Sequence, residues 1–435
     1  MESLDVGFIC LGVALVLLLL RVHIGVALGV VSLAGIAVIL NVRAALGIVT
    51  AVPFNFVGDW NFSAIPMFLF MGFVASAMGL THGLFGAMRV LLHRLPGNIA
   101  VASVGACALF ASASGSSVAT ASAMSRIATP EMLRYRYDPG LASGVIAASG
   151  TLGSLIPPSI LMLLFGYFAE VSIGKLFVAG FIPGILSALL YITMIVGRVS
   201  LRPTLAPPDD QVATRAQKLE LLREVWPLPV LIIGVLGGIF FGLFTPTEAG
   251  AVGALLALAV AAIRRELTFS KFRRAVERTL LSTANIFLVV IGTVLLTRLM
   301  ALSGVPAFIA EQFLAIGDTT FAVVLMIALL YVVLGMFVDS LGLMLLTLPI
   351  VLPIVTEMNM DLIWFGIIVI KLLEIGLVTP PVGLNVFVIK GALGDLVPLQ
   401  TIFRGVLWFL AMDILALLII YAFPSLSLFL PSLMD

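Results

Sequence analysis

Apolar residues run along this chain in stretches of about 20, the length that crosses a bilayer as a helix. Polar and charged positions gather in the segments between them. The pattern predicts spans near 6–20, 24–40, 65–87, 141–168, 176–197, 228–244, 248–263, 280–301, 362–389 and 404–424. Residues 44–58 are only moderately apolar and contain Pro53 and Asn55, so they are expected to lie flat at the membrane interface. Residues 99–133 and 320–355 are apolar stretches of a different kind. Each is interrupted midway, by Ser114-Gly115-Ser116-Ser117 or by Asp339-Ser340, leaving arms of about 15 residues against the ~20 that a crossing needs. A re-entrant helical hairpin is predicted for each.

Two of the long spans are broken in the same way. Gly153-Ser154-Leu155-Ile156-Pro157-Pro158 in the first half recurs as Gly376-Leu377-Val378-Thr379-Pro380-Pro381 in the second. A proline pair removes two backbone donors and clashes with the preceding turn, so a helix cannot run through it intact. In hydrocarbon the freed carbonyls need a partner, and a cation is one. Uninterrupted, the 28 residues of span 141–168 would reach about 42 Å as a helix, more than the hydrocarbon core. Two half-helices with an extended link are therefore expected in each place. Breaks at corresponding positions of two halves point to the site of an ion-coupled transporter. Spacing supports the repeat: Gly79 lies 35 residues before Ser114, and Gly304 lies 35 before Asp339. Ser114 in turn lies 43 before Pro157, and Asp339 lies 41 before Pro380.

Composition agrees. The chain is 62% hydrophobic and 10% charged, with mean hydropathy +1.24, more apolar surface than a water-soluble core needs. With loops 88–98, 126–138, 198–226 and 264–278 in the cytoplasm, together with Arg21, Lys390 and Arg404, 19 of the 23 Lys and Arg fall on that side. This satisfies the positive-inside rule and implies ten full spans, two hairpins of opposite entry and both termini outside. The fold expected is an all-α polytopic membrane protein built as an inverted repeat. Residues 198–226, with Pro203, Pro207, Pro208 and mixed charge, read as a solvated linker between the halves, part of which can form a surface helix. The acidic start Met1-Glu2-Ser3-Leu4-Asp5 is unlike a cleavable signal, so the first helix is expected to stay. Cys10 and Cys107 lie inside apolar runs and read as packing residues. His23, His82 and His93 are too scattered for a transition-metal centre. With no HExxH, GxSxG or phosphate loop, neither an enzyme nor an ATP-driven pump is expected, and no nucleic-acid partner.

The first hairpin tip carries five hydroxyls, Ser112, Ser114, Ser116, Ser117 and Thr120, around Gly115. Such residues serve close helix packing; facing Gly150-Thr151-Leu152-Gly153 and the Pro157 break they also suit sodium, a hard cation bound by oxygens at about 2.4 Å. The second tip offers Gly335, Asp339, Ser340 and Gly342, opposite Gly376, Thr379, Gly383 and Asn385. Asp339 either caps the second arm or contacts an ion, or does both. Tips and half-helix N-termini attract a carboxylate, so Ser116, Thr120, Ser340 and Asn385 are candidate contacts for a small anion. No arginine clamp is evident; Arg298 reaches that anion or snorkels to the surface. Lys371 and Glu374, three residues apart, read as an internal ion pair or a subunit contact, with a proton relay as the alternative. Thr245, Pro246 and Glu248 read as a helix start with a capping box.

Ile65–Gly72, Ser114–Thr120, Gly150–Ser159, Phe244–Gly250 and Gly376–Asn385, in this order along the chain, resemble the large membrane subunit of tripartite ATP-independent periplasmic (TRAP) transporters. The resemblance implies sodium symport of an organic acid (a dicarboxylate, a sugar acid or sialic acid) across the bacterial inner membrane. It implies two partners, a small four-helix membrane subunit and a periplasmic substrate-binding protein. It also implies an elevator motion of a transport domain against a scaffold. Sodium sites carry over to Ser114, Gly115, Ser117, Gly153 and Pro157, and to Gly335, Asp339, Gly376, Thr379 and Pro380. The implied organisation is scaffold helices in 1–87, a first transport half in 88–175, scaffold and linker in 176–301, a second transport half in 302–400 and a C-terminal helix in 401–435. No small subunit is fused ahead of the first helix, so a separate chain is expected. Lys371 departs from the family's pattern. The alternative is a stand-alone ion-coupled carrier of similar build that needs no binding protein.

Overall fold

The computed structural model describes residues 2–80, 83–207, 224–316 and 319–434. These form helices, with no strand among the described residues. In order they are α1 Ser3–Leu19, α2 Ile24–Ile39, α3 Val42–Gly58, α4 Ala64–Ala77, α5 Leu84–Leu91, α6 Asn98–Ser114 and α7 Ser117–Arg134. Then come α8 Pro139–Leu155, α9 Ile160–Phe168, α10 Ile173–Leu201, α11 Pro227–Phe240, α12 Pro246–Ile263, α13 Phe269–Ser303 and α14 Val305–Ile316. The second half closes with α15 Thr320–Gly335, α16 Ser340–Glu357, α17 Leu362–Val378, α18 Leu384–Leu393 and α19 Leu399–Ala422. Six described helices are long and apolar enough to cross a membrane, seven if the bent pair α8–α9 counts as one span.

Both expected hairpins are present. α6 turns into α7 at Gly115, whose φ of +60° is open to glycine at little cost. Ser116 then caps α7, its Oγ accepting from the Ala119 amide at 3.4 Å. α15 turns into α16 over Met336–Asp339. Both breaks are present too. α8 and α9 meet at 41° across residues 156–159, and residues 379–383 separate α17 from α18. Both proline pairs are joined by cis peptides. The repeat appears in the order of elements: a helix ended by a left-handed glycine (Gly79 at φ +71°, Gly304 at +75°), a hairpin, a broken helix, then a long helix, α10 or α19. It appears in packing as well, since α12 lies on α4 as α2 lies on α13.

Some expectations change. Span 65–87 is two helices: α4 stops at Ala77 and α5 starts at Leu84. The apolar run hides the stop, but Gly79 and Gly83 both take positive φ, which ends a helix. α14 occupies a stretch for which no helix was expected. α13 begins at Phe269, inside the expected loop 264–278. Residues 44–58 do form a helix, α3. Of the expected linker, residues 208–223 lie outside the described residues, as does His82. Cys10 and Cys107 are buried free thiols. Thr245 and Glu248 form the expected capping box at the start of α12. Helices α10 and α19 pack on each other and on the broken helices α8 and α17. Gly144 and Gly405 allow α8 and α19 to touch: a methyl on Gly144 would lie 2.6 Å from the Gly405 carbonyl carbon.

Candidate functional site

The first tip rests on the first break, backbone against backbone. A methyl added at Gly153 would lie 3.0 Å from the Ser116 carbonyl and 3.1 Å from the Ser117 amide nitrogen. A methyl at Gly115 would lie 3.0 Å from the Pro158 carbonyl oxygen. Ser117 Oγ is buried, 2.8 Å from Ser154 Oγ, and donates to Glu374 Oε2 at 2.7 Å. Ser114 and Thr120 pair their hydroxyls at 2.9 Å, and Thr120 donates to the Ser116 carbonyl at 2.8 Å. Because residues 157 and 158 are prolines, the carbonyls of Gly153 and Ser154 lack the amide donors an intact helix would supply.

The second tip meets the second break in the same manner. Gly335 and Gly376 are in backbone contact. Asp339 caps α16, its two carboxylate oxygens accepting from the Gly342 amide at 3.1 and 3.4 Å. Thr379 donates to the Ile375 carbonyl at 2.6 Å, and the Thr379 amide donates to the Gly376 carbonyl at 3.2 Å. Pro380 and Pro381 deprive the Gly376 and Leu377 carbonyls of their ordinary donors.

Both tips open onto one cavity of about 200 Å³, lined by Gly115, Ser116, Ser117, Ser154, Asp339 and Ser340 among others. The Ser340 hydroxyl is buried there without a hydrogen-bond partner among the described residues. A second cavity of about 780 Å³ shares Ser116, Val118, Ile160 and Leu341 with the first. It adds Ser114, Ser122 and Arg126 from the first hairpin, and Arg278, Ser282 and Asn285 from α13. Both guanidinium side chains are exposed, and neither makes an ion pair among the described residues. The pair of cavities offers hydroxyls and one carboxylate at the tips, with two guanidinium groups further along.

Sequence-predicted positions divide accordingly. Ser114, Gly115, Ser116, Ser117, Asp339 and Ser340 line these cavities. Gly153, Gly335 and Gly376 form the contacts that seat the tips. Pro157, Thr379 and Pro380 lie in the breaks. Thr120 is fully buried within its own hairpin. Asn385 is turned to α8, its Nδ2 donating to the Ala147 carbonyl at 3.5 Å. Arg298 is exposed and lines neither cavity. No cluster of three or more His, Cys, Asp or Glu that could hold a metal ion occurs among the described residues.

The expected Lys371–Glu374 pair is not formed. Lys371 Nζ instead bonds Asp413 Oδ1 of α19 at 2.5 Å and Ser187 Oγ of α10 at 3.1 Å. Tyr191 of α10 donates to the same Asp413 oxygen. Helical spacing puts Lys371 and Glu374 on one face, but that face meets two surroundings: α10 and α19 at Lys371, the first hairpin at Glu374. Sequence reasoning also passed over Ser154, Arg126 and Arg278. Ser154 lies inside the break, where its position points to a freed carbonyl and not to a hydroxyl that meets Ser117. The arginines entered only as cytoplasmic charge, although Arg126 stands on the helix that starts at the tip, about 14 Å from Ser117 at helical rise.

Known proteins agree with this architecture. The family described as Tripartite ATP-independent periplasmic transporter, DctM component, matches residues 11–426. The sialic acid TRAP transporter large permease protein SiaM of Vibrio cholerae is 32% identical over 378 residues, 87% of each chain. The C4-dicarboxylate TRAP transporter large permease protein DctM of Pseudomonas aeruginosa is 34% identical over 370 residues, 85% of this chain and 86% of that one. Among solved structures, the YdaH transporter of Alcanivorax borkumensis superposes with a TM-score of 0.63 at 14% identity, covering 89% of each chain, a likeness of fold alone. With hairpins, breaks and sequence in accord over nearly its whole length, the chain belongs to the DctM-type large permease component of the tripartite ATP-independent periplasmic transporters.

Proposed function

We propose that this multi-span membrane protein carries out sodium-coupled uptake of a small organic acid anion across the bacterial inner membrane. The observation that carries it is the seating of each tip on a break whose prolines withhold the ordinary helix donors from the preceding carbonyls, with one cavity between the two tips. Oxygen-only surroundings suit a hard cation such as sodium. In this function sodium binds at Ser114, Gly115, Ser117, Gly153 and Pro157, and at Gly335, Asp339, Gly376, Thr379 and Pro380. The anion binds between the tips, near Ser116 and Ser340, and leaves through the larger cavity past Arg126 and Arg278. Charge asymmetry supports a cytoplasmic side for those two arginines, and with it an inward-open conformation.

Relatives named for sialic acid and for C4-dicarboxylate support an organic acid as substrate. Membership of a tripartite family supports a small membrane subunit and a periplasmic binding protein as partners. We further propose an elevator: the hairpins and broken helices, together with α19 and with α10, which the sequence reading put in the scaffold, move against a scaffold that includes α2, α4, α12 and α13. Packing of α10 and α19 on α8 and α17 supports this grouping.

Reconstitution in proteoliposomes tests the function. Concentrative uptake of the anion is expected only with an inward sodium gradient, the small subunit and the binding protein together. Uptake by the chain alone would assign it to stand-alone carriers; uptake indifferent to sodium would remove the coupling.

A further inference from the structure

We infer, resting on the sodium coupling proposed above, that Glu374 supplies a carboxylate ligand to the cation site at the first tip, which is thereby anionic and built from both repeats. Glu374 belongs to the second repeat, on α17, yet it reaches the first hairpin. Its side chain is fully buried. Oε2 accepts from Ser117, and Oε1 is enclosed with no hydrogen-bond partner among the described residues. A buried carboxylate oxygen without a donor is costly at this depth and calls for a cation.

Among the described residues no cation pairs with that oxygen. Lys371, one turn away on α17, is committed to Asp413 and Ser187. Asp413 on α19 adds negative charge, and Tyr191 on α10 is spent on Asp413. Across the cavity that Ser117 and Ser154 line, the second tip contributes another acid, Asp339. Meanwhile the local hydroxyls are arranged to accept. Ser117 gives its proton to Glu374, so in the Ser117–Ser154 pair Ser154 is the donor, and the remaining lone pair on Ser117 is free for a ligand. With the carbonyls of Gly153 and Ser154 deprived of donors, the set is all oxygen with one full negative charge. That composition fits a single hard monovalent cation, which would leave the filled site neutral.

The test is the sodium dependence of thermal unfolding for the full chain in detergent, with choline as the control cation. Glu374→Gln keeps the size and an acceptor for Ser117 but removes the charge; Glu374→Asp keeps the charge on a shorter arm. The native chain should be stabilised by sodium in a saturable way. In Glu374→Gln the half-saturating sodium concentration should rise about tenfold or more, since an ionised buried partner is lost. Glu374→Asp should fall between. A Gln variant that titrates like the native chain overturns the inference and leaves sodium coupling intact. A native chain indifferent to sodium overturns the coupling itself. Should Glu374→Gln fail to fold, Glu374→Asp decides: a raised half-saturation supports the ligand, an unchanged one rejects it.

Discussion

Gly335 and Gly376 meet without side chains between them: a methyl on Gly376 would lie 2.8 Å from the Gly335 Cα, and one on Gly335 would lie 3.0 Å from the Gly376 Cα. Both flanks of the contact are backbone, so neither can yield as a flexible side chain would. Gly376→Ala should therefore push the second hairpin off its break, at a cost of about 1–3 kcal/mol. Thermal unfolding should show a lowered midpoint, and sodium should restore less of it than in the native chain. An unchanged midpoint would mean that the tip is not seated here.

The first break makes a sharper claim about coupling. Replacing Pro157 and Pro158 by alanines returns two amide donors to the helix, which can then occupy the Gly153 and Ser154 carbonyls. Uptake by this variant in proteoliposomes should no longer respond to a sodium gradient. Normal sodium-driven uptake would refute the role given to the bare carbonyls.

Asp339 is a cap in the structure, and capping predicts its substitutions. Asparagine caps as well as aspartate, whereas alanine costs about 1 kcal/mol. Were the carboxylate a cap alone, Asp339→Asn would keep the native melting temperature and most of the sodium dependence, while Asp339→Ala should lose stability. A large loss of sodium affinity in Asp339→Asn would instead assign the carboxylate to the ion.

Arg126 and Arg278 stand in the larger cavity without ion pairs among the described residues. Replacing either with glutamine should raise the half-saturating concentration of the organic anion severalfold and leave the sodium half-saturation unaltered. Equal shifts in both parameters would argue that the arginines hold the hairpin rather than meet the anion.

Lys371→Met should be strongly destabilising, by about 3–5 kcal/mol, because it strands the Asp413 carboxylate in the interior. Lys371→Met combined with Asp413→Leu should recover most of that loss, because no charge is then left without a partner. A double-mutant cycle of melting temperatures measures the difference. Strict additivity of the two single effects would contradict a direct pair.

Hairpins and breaks were legible in the sequence because their signals are local. Ser114-Gly115-Ser116-Ser117 and Asp339-Ser340 supply a turn and a cap, and a proline pair stops a helix wherever it occurs. The end of α4 was equally local, in Gly79 and Gly83, but the continuous apolar run around them outweighed it. The partners of Lys371 and Glu374 could not be read in this way. Spacing shows that the two share a helix face; it does not show that α19 brings Asp413, some forty residues later, to one of them, or that the first hairpin brings Ser117 to the other. Arg126 and Arg278 were visible as residues, yet only the approach of α13 to α7 around a common cavity makes them neighbours.

The Lys371–Asp413 pair bears on how the membrane potential acts. An elementary charge carried through a 100 mV field gains or loses about 2.3 kcal/mol. A lone lysine on α17 would make every stroke of that helix electrically biased, favouring one side of the membrane whether or not anything was bound. Because Asp413 accompanies Lys371 on the packed helix α19, the two charges cancel wherever the pair moves. In the proposed elevator the resting potential then acts on the cargo and on the tip carboxylates Glu374 and Asp339, and not on this pair.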